Sequence, residues 1–137
     1  MTRRVLLDTG VVVALVNALD PDHGRCVAVW SELRARVTTV EGVLVEAAHL
    51  LGRMPGGARA AVGLVRDVGA AIVPPTEERL QRAITLMEKY ADTPMDLVDA
   101  LLVATAEEQR IDEVLTLDRR GFETYRIGGR KRFRISP

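Results

Sequence analysis

Short apolar runs alternate along the chain with longer stretches in which apolar residues recur every three or four positions. The short runs predict buried strands over residues 5–7, 37–40, 71–73 and 113–117. Near the end of the chain, residues 132–135 alternate between charged and apolar side chains. That alternation predicts a further strand, at the edge of a sheet.

The longer stretches predict helices, and capping residues mark where most of them begin or end. Asp20 followed by Pro21 predicts a helix that begins there and continues to about residue 35. Thr76 predicts the start of another helix, which extends to about residue 90. The remaining predicted helices cover residues 43–51, residues 58–68 and a segment that begins at Thr93 and Pro94 and is apolar from 97 to 106.

Strands that alternate with helices predict an α/β domain, with a mainly parallel central sheet of four to five strands flanked by helices. The length of 137 residues, without repeats or a long linker, fits one domain over residues 1–137. In such sheets, binding sites form at the carboxyl ends of the strands. Asp8 directly follows the first predicted strand and Asp118 follows the fourth.

Composition narrows the class of protein further. The chain is 47% hydrophobic and 28% charged, which is typical of a folded globular protein. Lys plus Arg and Asp plus Glu both number 19, which argues against nucleic-acid binding through bulk charge alone. Basic residues nevertheless gather in residues 126–137, which contain no acid. The short apolar runs and the single cysteine predict a cytosolic, soluble domain without a membrane segment, internal disulfide or structural zinc.

Several carboxylates occur in apolar surroundings, and they are the most informative feature of the sequence. These residues are Asp8, Glu46, Asp99 and Asp118. An isolated carboxylate in an apolar interior is costly, so it is normally paired, bound to a metal or protonated. No basic residue lies between Met95 and Glu108, so Asp99 has no partner on its own helix. The pattern favours acids that converge on a divalent cation such as Mg²⁺ or Mn²⁺.

Each acid also has a structural alternative. Asp8 fits the N-cap of a helix that follows the first strand, and Asp118 fits the start of a turn. Glu46 fits an exposed stripe of its helix. If Thr93 is the N-cap, Asp96 is the third residue of the next helix, where an acid satisfies backbone donors. Capping and metal-site roles for Asp96 are equally supported.

Four segments that contain these acids resemble the PIN-domain family, and within it the VapC-like toxin ribonucleases. LLDTGVVVAL places the first catalytic aspartate on Asp8, and TTVEGVLVEAAHLL places a glutamate on Glu46. PMDLVDALLVATAEE places the next aspartate on Asp99, with Asp96 as a neighbouring acid, and LTLDRRGF places the closing residue on Asp118. The segments occur in the family's order and span residues 4–122.

The chain departs from the family pattern at two positions. Many members carry Ser where this chain has Gly10, so any contribution from that hydroxyl is absent. Many also carry an acid where this chain has Gly121, so Asp118 and Asp96 would have to suffice at that corner of the site.

The resemblance implies a divalent-metal-dependent endoribonuclease that acts as the toxin of a type II toxin–antitoxin pair. It implies a homodimer and a small antitoxin protein that inserts a segment into an acidic groove. Asp8 and Asp99 would bind Mg²⁺ or Mn²⁺, with Glu46 and Asp118 as ligands directly or through water. Thr9 and Thr116 could hydrogen-bond the acids or a phosphate, although a structural role is favoured.

Basic residues near the acids would neutralise the phosphates of RNA. Arg119 and Arg120 flank Asp118 in sequence, and Arg130, Lys131, Arg132 and Arg134 form a basic segment near the end of the sequence. The alternative interpretation of that segment is a solvated tail whose charge protects an edge strand. His23 and His49 are interpreted as packing or surface residues rather than catalysts.

Other functions fit the same residues less completely. A non-catalytic module that binds RNA or protein would retain a degenerate site, and an RNA-processing nuclease would act without an antitoxin. A dehalogenase-like phosphatase would use Asp8 as nucleophile, but the second aspartate it needs is replaced by Gly10.

Overall fold

The computed structural model describes residues 2–137 and contains a central parallel sheet. Its elements, numbered in chain order, are β1 (Arg4–Leu7), α1 (Thr9–Val16), α2 (His23–Glu32), β2 (Arg36–Val40), α3 (Glu41–Leu50), α4 (Gly57–Asp67), β3 (Ala71–Val73), α5 (Glu77–Lys89), α6 (Leu97–Gln109), β4 (Glu113–Leu115), α7 (Arg119–Thr124), β5 (Arg126–Ile127), β6 (Lys131–Arg132) and β7 (Arg134–Ser136). The central sheet has the strand order β3-β2-β1-β4-β7. Each neighbouring pair in it is parallel. The predicted α/β class is therefore confirmed.

The order of the strands reverses direction between β1 and β4. From β1 the chain moves outward through β2 to β3, and it then returns to β4 on the other side of β1. Right-handed crossovers then put α1 to α4 on one face and α5 to α7 on the other. Contacts among α1, α2, α3 and α4, and between α5 and α6, agree with that arrangement. Ligands of open α/β sheets bind at such a reversal, beside the carboxyl ends of the strands.

Most strands lie close to their predicted positions, and burial of their apolar side chains is most complete in β1. Val5, Leu6 and Leu7 of β1 have no exposed surface. The fourth strand ends at Leu115 rather than at residue 117. The predicted strand over residues 132–135 is interrupted at Phe133, which is buried; β6 ends before it, and the edge strand β7 follows it.

Two predicted helix starts are wrong. The helix expected at Asp20 begins at His23, because the side chain of Asp20 accepts a hydrogen bond from the Asp22 backbone N–H (2.8 Å) and closes a turn first. The helix expected at Thr93 begins at Leu97, and Asp96 is its N-cap in an extended backbone conformation. Asp96 therefore lies just outside the helix rather than at its third position.

The core contains a group of stacked aromatic side chains and the single cysteine. Phe122 contacts Tyr125 and Phe133, and Tyr125 contacts Tyr90, each edge to face with ring centroids 5.2 Å apart. Cys26 of α2 is buried in the main core. None of the helices in residues 2–137 is long and apolar enough to cross a bilayer.

Candidate active site

Asp8 is a buried carboxylate at the carboxyl end of β1, where it caps α1. Its Oδ1 accepts a hydrogen bond from the Thr9 backbone N–H (2.8 Å), and its Oδ2 accepts one from the Thr116 hydroxyl (2.7 Å). Burial raises the pKa of Asp8 to about 6 against the opposing effect of these two hydrogen bonds, and the charges of Glu46 and Asp96 add to the rise. Asp8 is therefore both a helix cap and a buried carboxylate with other acids nearby.

Thr116 connects the end of β1 with the end of β4. Its buried hydroxyl donates to Asp8 and accepts a hydrogen bond from the Asp118 backbone N–H (3.0 Å). The side chain of Thr116 thus fixes the positions of Asp8 and Asp118, which lie far apart in the sequence. The proposed hydrogen bond between Thr116 and the acids is present.

Asp96 and Asp99 form a reciprocal capping box at the start of α6. Asp96 Oδ1 accepts from the Asp99 backbone N–H (2.8 Å), and Asp99 Oδ2 accepts from the Asp96 backbone N–H (3.2 Å). Asp99 is half-buried. Burial and the charge of Asp96, with smaller contributions from the charges of Asp8 and Asp118, raise the pKa of Asp99 to about 8 against the opposing hydrogen bond from the Asp96 backbone. Charges of three other predicted acids therefore act on Asp99 at this position.

Asp118 caps α7, and Gly121 makes room for its carboxylate. Asp118 Oδ1 accepts a hydrogen bond from the Gly121 backbone N–H (3.0 Å). A Cβ at position 121 would overlap Asp118 Oδ2 and lie 3.1 Å from the Tyr125 hydroxyl. The absence of a side chain at position 121 is therefore what allows Asp118 its observed orientation.

Tyr125 is a buried neighbour of the acids that sequence reasoning missed. Its hydroxyl donates to the Pro94 carbonyl (2.8 Å), which lies in the loop before Asp96. Burial raises the pKa of the phenol, and the negative charges of Asp99 and Asp118 raise it further. The only signal in the sequence was its position three residues after Phe122, on the same side of a short helix.

Glu46 reaches the site from α3. It is half-buried, and its charge is one of those that raise the pKa of Asp8. In the described part of the chain, its carboxylate has no hydrogen-bond donor within reach.

The predicted basic residues separate into two groups. Arg119 and Arg120 lie in the first turn of α7, next to Asp118, and Arg119 donates to the Pro137 carbonyl (2.7 Å). Lys131 instead binds Asp112 (2.9 Å), at the amino end of β4. Since β7 runs parallel to β4, the segment that contains Arg130, Lys131 and Arg132 enters the sheet at the end opposite Asp8. These three residues are not part of the acidic site.

His23 is also outside the group of acids. Its Nδ1 lies 2.6 Å from the Ala14 carbonyl oxygen, where it joins the start of α2 to the second half of α1. This contact agrees with a packing role.

The donor chemistry of the site fits a divalent cation, although the acids are spread out. No three of the described His, Cys, Asp or Glu side chains lie close enough together to hold an ion directly. Asp96, Asp99 and Asp118 each keep one carboxylate oxygen without a protein donor, and the buried Thr9 hydroxyl also lacks a partner in the described part. Hard oxygen donors with free lone pairs suit such an ion, with side-chain movement or bridging water completing its coordination.

The chain belongs to the PIN-domain family, whose model matches residues 5–127. Nucleases of this family generally need a divalent metal, which the donor set fits. Ribonuclease VapC26 of Mycobacterium tuberculosis is 31% identical over 147 residues, which cover 97% of this chain and all of that protein.

Solved structures show the same fold. The sarcin–ricin-loop-cleaving toxin VapC20 of Mycobacterium tuberculosis superposes with a TM-score of 0.74 at 25% identity, covering 80% of this chain and 86% of that one. VapBC2 of Rickettsia felis, solved bound to a promoter DNA fragment, gives a TM-score of 0.66 at 12% identity and covers 98% and 99% of the two chains.

Proposed function

We propose that this protein is a metal-dependent endoribonuclease and the toxin of a toxin–antitoxin pair, with residues 1–137 forming one nuclease domain. The observation that carries the proposal is the meeting of acids from separate segments at one end of the sheet, where burial and, to a smaller extent, their charges raise the pKa values of Asp8 and Asp99. The likeness to Ribonuclease VapC26 over nearly the whole chain supports RNA as the substrate.

The acids have distinct proposed roles. Asp8 and Asp99 bind Mg²⁺ or Mn²⁺ directly, Glu46 and Asp118 bind it directly or through water, and Asp96 contributes charge beside them. A bound ion supplies a water of lowered pKa and stabilises negative charge at the scissile phosphate. Thr116 keeps the carboxylate of Asp8 fixed in orientation.

Arg119 and Arg120 are proposed to contact the phosphates beside the scissile bond. Both lie in the first turn of α7, directly after Asp118, and both are exposed. Their charge would offset the repulsion between the acids and the RNA backbone.

The partners follow from the same assignment. Toxin–antitoxin complexes are among the solved structures of this fold, so we propose a small antitoxin protein whose basic segment is attracted to the acids. We also propose a homodimer and a cytoplasmic location.

The test is cleavage of a mixed pool of structured RNA with Mg²⁺, with Mn²⁺ and with EDTA. We expect metal-dependent cleavage by the parent protein. Asp8→Asn and Asp99→Asn keep the shape of the side chain and remove its charge, so each should lower cleavage by at least about 100-fold while the protein stays folded.

Asp67→Asn is the matched control, because Asp67 is an exposed acid on α4, away from the group of acids. It should cleave at the parental rate. Parental cleavage by folded Asp99→Asn would refute the assigned site. Mn²⁺ binding by calorimetry without any RNA cleavage would indicate a non-catalytic module instead.

A further inference from the structure

Arginine and lysine side chains gather at the amino ends of the central strands, on the side of the sheet opposite Asp8. Arg4 and Arg36 begin β1 and β2, and Arg134 begins β7. The neighbouring segments add further positive charge. We define the basic edge as Arg3, Arg4, Arg36, Lys131, Arg132 and Arg134.

Two acids at this end of β4 neutralise only part of the basic edge. Glu113 accepts two hydrogen bonds from Arg3 (2.8 and 2.6 Å), and Asp112 pairs with Lys131 (2.9 Å) and Arg134 (3.0 Å). These contacts lower the pKa values of both acids, which therefore stay ionised. Their two negative charges leave the basic edge positive.

The other three members have no such neutralisation. Within residues 2–137, Arg4, Arg36 and Arg132 have no carboxylate oxygen within 4.0 Å. All three residues are exposed. The Arg4 guanidinium donates to the backbone carbonyl and the side-chain oxygen of Gln109, which are uncharged groups, so its positive charge is not neutralised.

Two of these arginines without a carboxylate partner lie side by side. Arg4 and Arg36 are in register on the adjacent strands β1 and β2. Like charges in such positions repel each other and are unfavourable for the sheet. A bound polyanion would relieve this repulsion, which gives the arrangement a physical use that a solvated surface lacks.

We propose that the basic edge is a second RNA-binding surface, remote from the site of cleavage; this inference rests on the proposed ribonuclease function. The four residue steps from Arg4 to Asp8 separate the two ends of the sheet by roughly 13 Å. An RNA that contacts both must pass around the side of the protein. The substrate class is therefore a folded or extended RNA rather than a short oligonucleotide.

RNA is favoured over an acidic protein by the chemistry of the surface and by its relation to the site. Five of its six members are arginines, whose guanidinium groups bind phosphate in two-pronged geometry. The acids around Asp8 repel a phosphate backbone, so a basic surface elsewhere on the molecule adds affinity for RNA to that supplied by Arg119 and Arg120. In the basic edge, Arg4 and Arg36 are adjacent and neither has a carboxylate partner.

The experiment compares RNA binding by the parent and by the double variant Arg4→Glu with Arg36→Glu. Binding is measured in EDTA, so that metal-dependent cleavage does not interfere, by the fluorescence anisotropy of a labelled RNA stem-loop of about 30 nucleotides. We expect a Kd at least about 10-fold weaker and a salt dependence of log K that is lower by about two in slope. Circular dichroism verifies that the variant is folded.

A control with the same change in net charge carries Arg25→Glu with Arg53→Glu, two exposed arginines outside the basic edge. It should bind the stem-loop with close to the parental Kd. Equal loss of affinity in both double variants would overturn the inference, because the effect would then come from total charge.

Further outcomes separate this inference from the proposed function. If the parent cleaves RNA with metal and the Arg4, Arg36 variant binds with parental Kd, only the second surface is refuted. If the parent neither binds nor cleaves RNA, both proposals fail. Tighter binding of poly-glutamate than of RNA would overturn the inference in favour of an acidic protein partner.

Discussion

At the residue scale, a few hydrogen bonds hold carboxylates that are distant in the sequence in their positions at the site. Asp8 is buried with both oxygens hydrogen-bonded, one of them by Thr116. The cost of burying the charge is thereby reduced but not removed, since the pKa of Asp8 remains raised. A buried carboxylate with a raised pKa is stabilised in its ionised form by a nearby cation, which is a physical reason for the site to bind metal.

Gly121→Ala should displace the carboxylate of Asp118. The added methyl would overlap Asp118 Oδ2, and turning that carboxylate away removes the N-cap of α7. We expect the free energy of unfolding to fall by about 1 kcal/mol, measured by urea denaturation. Calorimetry should show weaker Mn²⁺ binding by the same variant.

Gly63→Ala is the matched control, because Gly63 lies inside α4 and a Cβ there meets no atom within 4 Å. It should raise the free energy of unfolding by about 0.5–1 kcal/mol, as alanine normally does in a helix. If Gly121→Ala were equally stabilising, the orientation described for Asp118 would be wrong.

At the scale of elements, the start of α6 combines helix capping with the acidic site. Asp96 and Asp99 satisfy each other's backbone N–H groups, and their charges also repel. Of the two roles considered for Asp96, helix capping is observed, and metal binding stays a proposal.

Replacements of Asp96 should distinguish its cap from its charge. Asp96→Asn keeps a side-chain oxygen for the Asp99 N–H and removes repulsion, so the free energy of unfolding should stay within about 0.5 kcal/mol of the parent or rise. Asp96→Ala should lower it by about 1 kcal/mol. Thermal unfolding at neutral pH in EDTA measures both, and equal stability of the two variants would contradict the capping role.

The sequence predicted the strands well, and it picked out acids that the fold brings to one end of the sheet, because both signals depend on local information. A run such as Val5, Leu6 and Leu7 is apolar wherever the sheet places it, and a carboxylate in an apolar segment stands out by itself. Helix starts were harder to predict. Asp20, Thr93 and Asp96 all have good capping chemistry, and only the backbone conformation decides among them.

Contacts across the fold could not be predicted from local pattern. The bond from Thr116 to Asp8 requires β1 and β4 to be neighbours, and the hydroxyl of Tyr125 meets Pro94 only after α7 packs against the core. The location of Lys131 depends on β7 running parallel to β4. An antiparallel β7 would have brought that basic segment toward the acids.

On the scale of the whole molecule, opposite charges collect at opposite ends of the sheet. Asp8, Asp99 and Asp118 lie beyond the carboxyl ends of the strands, and the basic edge lies at their amino ends. A net charge of zero therefore hides a separation of charge along the strand direction. The two ends should respond to pH in opposite senses.

Without metal, the protein should become less stable as pH rises from about 5 to about 8. The folded state raises the pKa values of Asp8 to about 6 and Asp99 to about 8, so it binds more protons than the unfolded chain, and this contribution is lost as pH rises through those values. We expect a loss of about 2 kcal/mol, seen as a falling Tm in EDTA. Asp99→Asn should make the Tm less dependent on pH. A parental Tm that rises between about pH 5 and about pH 8 would refute the prediction.

Below about pH 5, stability changes with pH in the opposite direction and falls as the pH falls. The pKa values of Asp112 and Glu113 are lowered by their basic partners, so their contribution to stability is present above about pH 4.5 and is lost as pH falls further. The metal-free protein should therefore be most stable near about pH 5.

Cys26 provides a built-in measure of how often the fold opens. It is the only cysteine of the chain, it is 1% exposed, and burial raises its pKa. A thiol-reactive dye therefore modifies the native protein at a rate set by the opening of α2 and the core around it. The same property keeps the background low when a second cysteine is introduced on the surface, so the basic edge and the acidic end can each be labelled separately in a protein that is otherwise unchanged.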